Sequence, residues 1–167
     1  NLYRAMEQLS HKNYKQVVKS VETSKEWPEN LGVGKPYDNM IDNRLEDYLE
    51  AKAAAGQGDS RKTSALLAAV ADYTISRSHF ESGNLLSALA LRESGKVQEA
   101  DHMVAAWSTD FPENRVVQWC TAIYRGEKEK AVGMLQSRND QTNTTPWEAS
   151  FRDSNFDLIV RLFSTEQ

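Results

Sequence analysis

Apolar residues along this 167-residue chain return every three or four positions and never alternate with polar ones over a sustained stretch, which is the period of an α-helix. At the start, Leu2, Ala5, Met6 and Leu9 fall at i, i+3, i+4 and i+7, one face of a helix. The segment Leu45–Ala55 is dense in strong helix formers, and Asn43 with Glu46 three residues on predicts a capping box. Helical segments follow at Ser64–Ala71 and Leu85–Leu91. A further one carries Ala100, Val104 and Trp107 on one face and stops at Pro112, where Asn114 can cap the next. Towards the end, Thr145-Pro146-Trp147-Glu148 reads as an N-cap, a first-turn proline and a capping-box glutamate. Beyond it Phe156, Ile159, Val160 and Phe163 form an apolar stripe, flanked by Leu158 and Leu162. The pattern predicts an all-α fold with no sheet.

One local arrangement recurs: a turn residue, polar positions, then a small residue five places after the turn. It appears as Gly95-Lys96-Val97-Gln98-Glu99-Ala100 and Gly126-Glu127-Lys128-Glu129-Lys130-Ala131, more weakly as Gly58-Asp59-Ser60-Arg61-Lys62-Thr63. In Lys12-Asn13-Tyr14-Lys15-Gln16-Val17 a lysine replaces the glycine. The turn residues are 46, 37 and 31 positions apart, around the ~34 of a helix–turn–helix repeat. Helices joined by short turns pack closely only where their contact points lack bulk. Ala51, Ala88 and Cys120 are expected at that point on the first helix of successive pairs, and Ala100 and Ala131, with the heavier Thr63 and Val17, on the second. A lone hairpin cannot bury its face, so stacked pairs share one core. The expectation is an α-solenoid of about four antiparallel helix pairs, at 1–30, 42–75, 80–112 and 114–138, closed by a capping segment at 145–164 over the end of the last pair. These form a single domain over 1–167. A helical face that opens at Asn1 with no cap before it predicts a piece of a longer chain.

The stretch Ala88-Leu89-Ala90-Leu91-Arg92-Glu93-Ser94-Gly95-Lys96-Val97-Gln98-Glu99-Ala100, followed by Trp107 and Pro112, resembles a tetratricopeptide (TPR) repeat. It has the small residue of the first helix, the turn glycine, the alanine of the second helix and the closing proline. The first copy keeps Tyr14 and Pro28, the second lacks the proline, and the fourth keeps Trp119, Cys120, Ile123, Gly126 and Ala131. The segment Trp27–Pro36 is also similar to helical tails of large bacterial proteins in which a mutarotase-like β-sandwich precedes TPR repeats.

Composition narrows the chemistry. Twenty Lys+Arg against 24 Asp+Glu give a formal net charge of −4, which disfavours binding nucleic acid through phosphate neutralisation. No apolar run approaches the ~20 residues that span a bilayer. One cysteine excludes an internal disulfide or a cysteine zinc cage. Gly32-Val33-Gly34-Lys35 lacks the first glycine of a phosphate loop, Glu29 standing in its place, and Pro36 follows the lysine, so it reads as a connecting loop. His11, His79 and His102 have no histidine at i+3 or i+4, so no metal site is expected. Cys120 at a helix contact point reads as a packed thiol. Glu46, Asp47 and Glu50, like Asp153 and Asp157, read as solvated helix faces, with Ser154-Asn155 breaking the second pair's helix. Asn143-Thr144-Thr145 matches a glycosylation acceptor by a pattern common in any sequence.

No acid, base and nucleophile converge at interpretable spacing, so no enzymatic activity and no cofactor are expected. The TPR resemblance implies a protein or peptide partner on a concave face lined by the first helices. Its register places Tyr48, Lys52, Leu85, Leu89 and Arg92 near that groove, with packing the competing role for the two leucines. The family's carboxylate clamp is missing, its places being held by Leu2, Met6, Leu49, Ser82 and Leu86. The second resemblance implies the alternative of a structural or dimerising tail on a larger carbohydrate-related enzyme. The Phe156–Ile159–Val160–Phe163 stripe is the candidate interface helix, a homodimer being one use of it.

Overall fold

A computed structural model describes residues 1–26, 41–75, 79–139, 153 and 155–164. Among them are nine α-helices and no strand: α1 (Leu2–Ser10), α2 (Tyr14–Lys25), α3 (Arg44–Gly56), α4 (Ser60–Ile75), α5 (Gly83–Glu93), α6 (Val97–Asp110), α7 (Arg115–Tyr124), α8 (Lys128–Asn139) and α9 (Phe156–Ser164). The all-α class expected from the periodicity is therefore the class observed. The Trp27–Pro36 loop with its glycine–lysine motif, the glycosylation pattern at Asn143 and the capping sequence at Thr145–Glu148 lie outside the described residues.

The four recurrent turns share one geometry. Lys12, Gly58, Gly95 and Gly126 have φ of 59°, 79°, 81° and 74°. In each, the residue after the turn donates its N–H five positions back: Asn13 to Gln8 at 2.8 Å, and Asp59 to Ala54, Lys96 to Leu91 and Glu127 to Ala122 at 2.9 Å. That is the six-to-one bond of a Schellman turn, whose left-handed residue is normally glycine. Glycine adopts it freely, while Lys12 holds its β-carbon against the steric cost.

Each pair joined by such a turn packs together, α1 with α2, α3 with α4, α5 with α6, and α7 with α8. The first helices also touch in sequence, α1 to α3 to α5 to α7, and α2, α4 and α6 each pack on the first helix that follows. The small residues sit where the crossings need them: Ala51, Ala88, Cys120, Ala100 and Ala131 are all buried. Val17 is buried too, and only Thr63 of the weaker copy is partly open. One apolar cluster runs from Ala5 in α1 to Leu162 in α9.

Two helix starts show how local chemistry decides caps. Asn114 Oδ1 accepts the N–H groups of Val116 at 2.9 Å and Val117 at 3.2 Å, the cap expected for α7. The capping box expected at Asn43 and Glu46 is corrected: Asn43 makes no side-chain cap bond. Asp42 takes that place, accepting the Arg44 N–H at 3.0 Å and, through both carboxylate oxygens, the Arg44 guanidinium.

Arg44 is the polar hub of the core, with its side chain only 2% exposed. Its Nε and one terminal nitrogen donate to Asp42 at 2.9 and 2.7 Å, and that nitrogen also reaches Glu81 at 2.7 Å. The other terminal nitrogen donates to Thr74 at 2.8 Å and Asn84 at 2.6 Å. All five donors are thus used, which is what a buried guanidinium requires. The bonds tie the start of α3 to the end of α4 and the start of α5. Gly83 permits this approach, since a β-carbon there would stand 2.6 Å from the guanidinium carbon.

Candidate functional site

The chain's own last helix, α9, packs against the first helices α1 and α7 and against α8. A nine-residue helix is too short to hold together alone in water, so α9 depends on what it packs against. Phe156, Ile159 and Leu162 are buried, while Leu158, Val160 and Phe163 pack on the same cluster from half-buried positions. Trp119 of α7 meets the edge of Phe156 at 5.3 Å between ring centroids and Phe163 at 6.5 Å. Arg161 lies over the Tyr3 ring of α1 at 4.9 Å. Arg138 of α8 bonds Asp157 at 3.0 Å and lies over the Phe156 ring at 5.3 Å. Before the helix, the Asp153 carboxylate accepts the backbone N–H of Ser82, at the start of α5. Phe163 shares a cleft with Leu89 and Arg92 near the end of α5, so α9 follows that helix's direction.

The helix expected to cover the end of the last pair also contacts α1, and Asp153 just before it bonds the start of α5. The physical reason lies in the width of its apolar surface. Six large side chains in nine residues exceed what one end helix can cover, and the first helices supply the remainder. The four residues proposed as an interface helix, Phe156, Ile159, Val160 and Phe163, are packed against their own chain, so pairing of two copies through them first requires undocking.

The groove residues projected from the repeat register divide into two groups. Tyr48, Leu85 and Leu89 are buried, with Leu85 fully so. Lys52 is half-buried and Arg92 exposed. The structure joins Tyr48 and Lys52 through Glu93: its Oε1 accepts the tyrosine hydroxyl at 2.7 Å and the lysine Nζ at 2.8 Å. Arg92 instead donates to the Tyr124 carbonyl at 2.8 Å and stacks on that ring at 4.6 Å. Every residue of α5 from Gly83 to Leu91 is buried, because α3, α4, α6 and α7 surround it.

The titratable groups here serve packing. Cys120 is fully buried; burial pushes its thiol well above the usual range and the Asp153 charge adds to that, leaving little of the reactive thiolate. Tyr124 donates its hydroxyl to Asp101 at 2.7 Å, and burial together with this bond pushes its ionisation up to about 12. Burial works to raise Glu50, yet hydrogen bonds and charge from Lys62 and Lys25 outweigh it and hold the carboxyl below its ordinary value. Among the described residues no three His, Cys, Asp or Glu side chains gather as a metal site, and no helix is long and apolar enough to cross a membrane.

Sequence reasoning had Phe156 and its stripe in view. It missed the receiving residues Trp119, Tyr3 and Arg138, and the Arg44 hub. Trp119 stood in the repeat pattern as a packing residue, and only its place opposite a second aromatic group signals more. No family model matches the chain, and comparisons with curated proteins and with solved structures gave no match.

Proposed function

We propose that this chain is a TPR-like α-solenoid of four antiparallel helix pairs acting as a non-enzymatic protein-interaction module. Its first-helix face takes an amphipathic helix bearing an apolar i, i+3, i+6 stripe. The observation that carries this reading is α9 itself, seated on the face with Phe156, Ile159 and Leu162 buried. Helix-in-groove recognition uses such a stripe, read as spaced apolar anchors. The four Schellman turns and the buried small residues support the repeat register. A partner helix competes with α9, and the attached helix has the advantage of a high effective concentration.

The test is a fluorescence-anisotropy titration of a labelled peptide spanning residues 153–167. It should bind a chain ending at Asn139 and fail to bind the intact chain, whose face is occupied. A peptide with Ile159 and Leu162 replaced by aspartate should bind neither. Equal binding of the two peptides to the shortened chain would remove the reading.

A second reading is favoured by the burial of α5 from Gly83 to Leu91: the array is a structural tail of a larger carbohydrate-related enzyme, closed in cis and binding nothing of its own. Under that reading the longer gene product carries a β-rich domain upstream.

A further inference from the structure

We propose that the cleft enclosed by the ends of α5 and α7, the start of α8 and the end of α9 binds a small apolar carboxylate, a single aromatic ring or short acyl chain bearing one acid group. The cleft holds about 190 Å³. Drug-sized sites begin at ~300 Å³, so this one admits a fragment and excludes a peptide side of any length. Its walls are Leu89, Ile123, Leu135 and Phe163, from four different helices. Among the described residues, the charged ones lining it are Arg92 and Lys128, and no carboxylate lines it.

Neither cation is neutralised. Arg92 spends one hydrogen bond on the Tyr124 carbonyl and lies flat on the Tyr124 ring, which holds the guanidinium in place with most of its donors open. Lys128 has no ion-pair partner among the described residues. The adjacent carboxylate of Glu127 is engaged by Lys130 at 3.0 Å. Two uncompensated cations above an apolar floor select an anion with an apolar body. A free phosphate has no such body and would forfeit the four walls.

Trp119 also lines the cleft, so a ligand bound there changes the surroundings of its indole ring.

Because Phe163 and Ser164 form one wall, the site exists only while α9 is docked. The acid therefore stabilises the docked state by linkage, and a partner helix that displaces α9 expels the acid. The cleft itself stands on its own geometry, so failure of the helix-competition experiment leaves it intact.

The experiment is a calorimetric and NMR titration of the intact chain with 3-phenylpropionate and with hexanoate. Matched probes are 3-phenylpropanol, hexanol, acetate and inorganic phosphate. The expected result is saturable binding of both apolar acids, a shift of the Trp119 indole N–H resonance, and about tenfold weaker binding of the alcohols, acetate and phosphate. Lys128→Gln, an exposed change that leaves packing untouched, should weaken the acids several-fold, and Arg92→Gln should do so further. Absence of saturable binding, equal affinity for the alcohols, an unmoved indole, or wild-type affinity in Lys128→Gln would each overturn the assignment.

Discussion

Ile159→Ala separates docking of α9 from folding of the array. Ile159 has no exposed surface, so the change removes three carbons from a packed site. At ~0.8 kcal/mol per buried methylene, the transfer loss is about 2.4 kcal/mol. The unfilled cavity brings the total into the range of about 2–5 kcal/mol measured for such truncations. A nine-residue helix has no stability of its own to draw on. The loss should therefore appear first as undocking, with the Arg44 hub and the α3–α6 core still closed. Hydrogen exchange followed by mass spectrometry on the intact and substituted chains reads this directly. Protection over residues 156–164 should fall by a factor of 30 or more, since ~1.4 kcal/mol is tenfold. Protection in α3 and α5 should stay unchanged. If α3 and α5 lose protection in step with α9, the last helix is part of one cooperative core and not a separable occupant of the face.

Arg44→Met keeps the aliphatic stem and removes five hydrogen bonds, leaving Asn84 and Thr74 buried and two carboxylates without a cation. Chemical denaturation should show a loss of about 3 kcal/mol, at the low end for broken buried pairs because Asp42 and Glu81 reach water. Ala100→Leu forces three extra carbons into a fully buried crossing and should cost about 1–3 kcal/mol; an unchanged melting temperature would contradict the contact register. Tyr124 should titrate late in a 295 nm difference spectrum, near pH 12, with that component absent in Tyr124→Phe. The sign of its linkage is unfavourable in alkali: below pH 10 both states hold the proton. Between about 10 and 12 the unfolded chain releases it first, so stability falls across that window in the wild type and less in the phenylalanine variant.

What sequence could disclose divides along the range of the interaction. The four turns are local events, set by a left-handed residue and two backbone bonds within six positions, and glycine at 58, 95 and 126 announces them. Lys12 followed the same turn without glycine and was still legible, because Val17 keeps the repeat's spacing to the next buried contact. The small residues at crossings were legible for a similar reason: Ala88 and Ala100 are close in sequence and define one hairpin. Arg44 was not legible. Its partners Thr74, Glu81 and Asn84 lie 30 to 40 residues away, and no periodicity links a single arginine to them. Even the cap at α3 shifted by one residue, because Asp42 serves the guanidinium and the helix end together.

The C-terminal helix shows the same limit from the other side. Its stripe was evident, yet a stripe states only that a face must be covered and is silent about what covers it. The missing information was the long-range packing that brings Tyr3 of α1 and Trp119 of α7 against one short helix. Once α9 is docked, two properties become coupled. The face that would accept an outside helix is occupied in cis, and the cleft beside Phe163 exists only in that occupied state. Anything that favours the docked helix, including an acid held by Arg92 and Lys128, opposes a competing helix by the same free energy. Under the proposed function, the affinity of the face for a partner helix is set as much by how firmly Phe156, Ile159 and Leu162 are held as by the partner's own contacts.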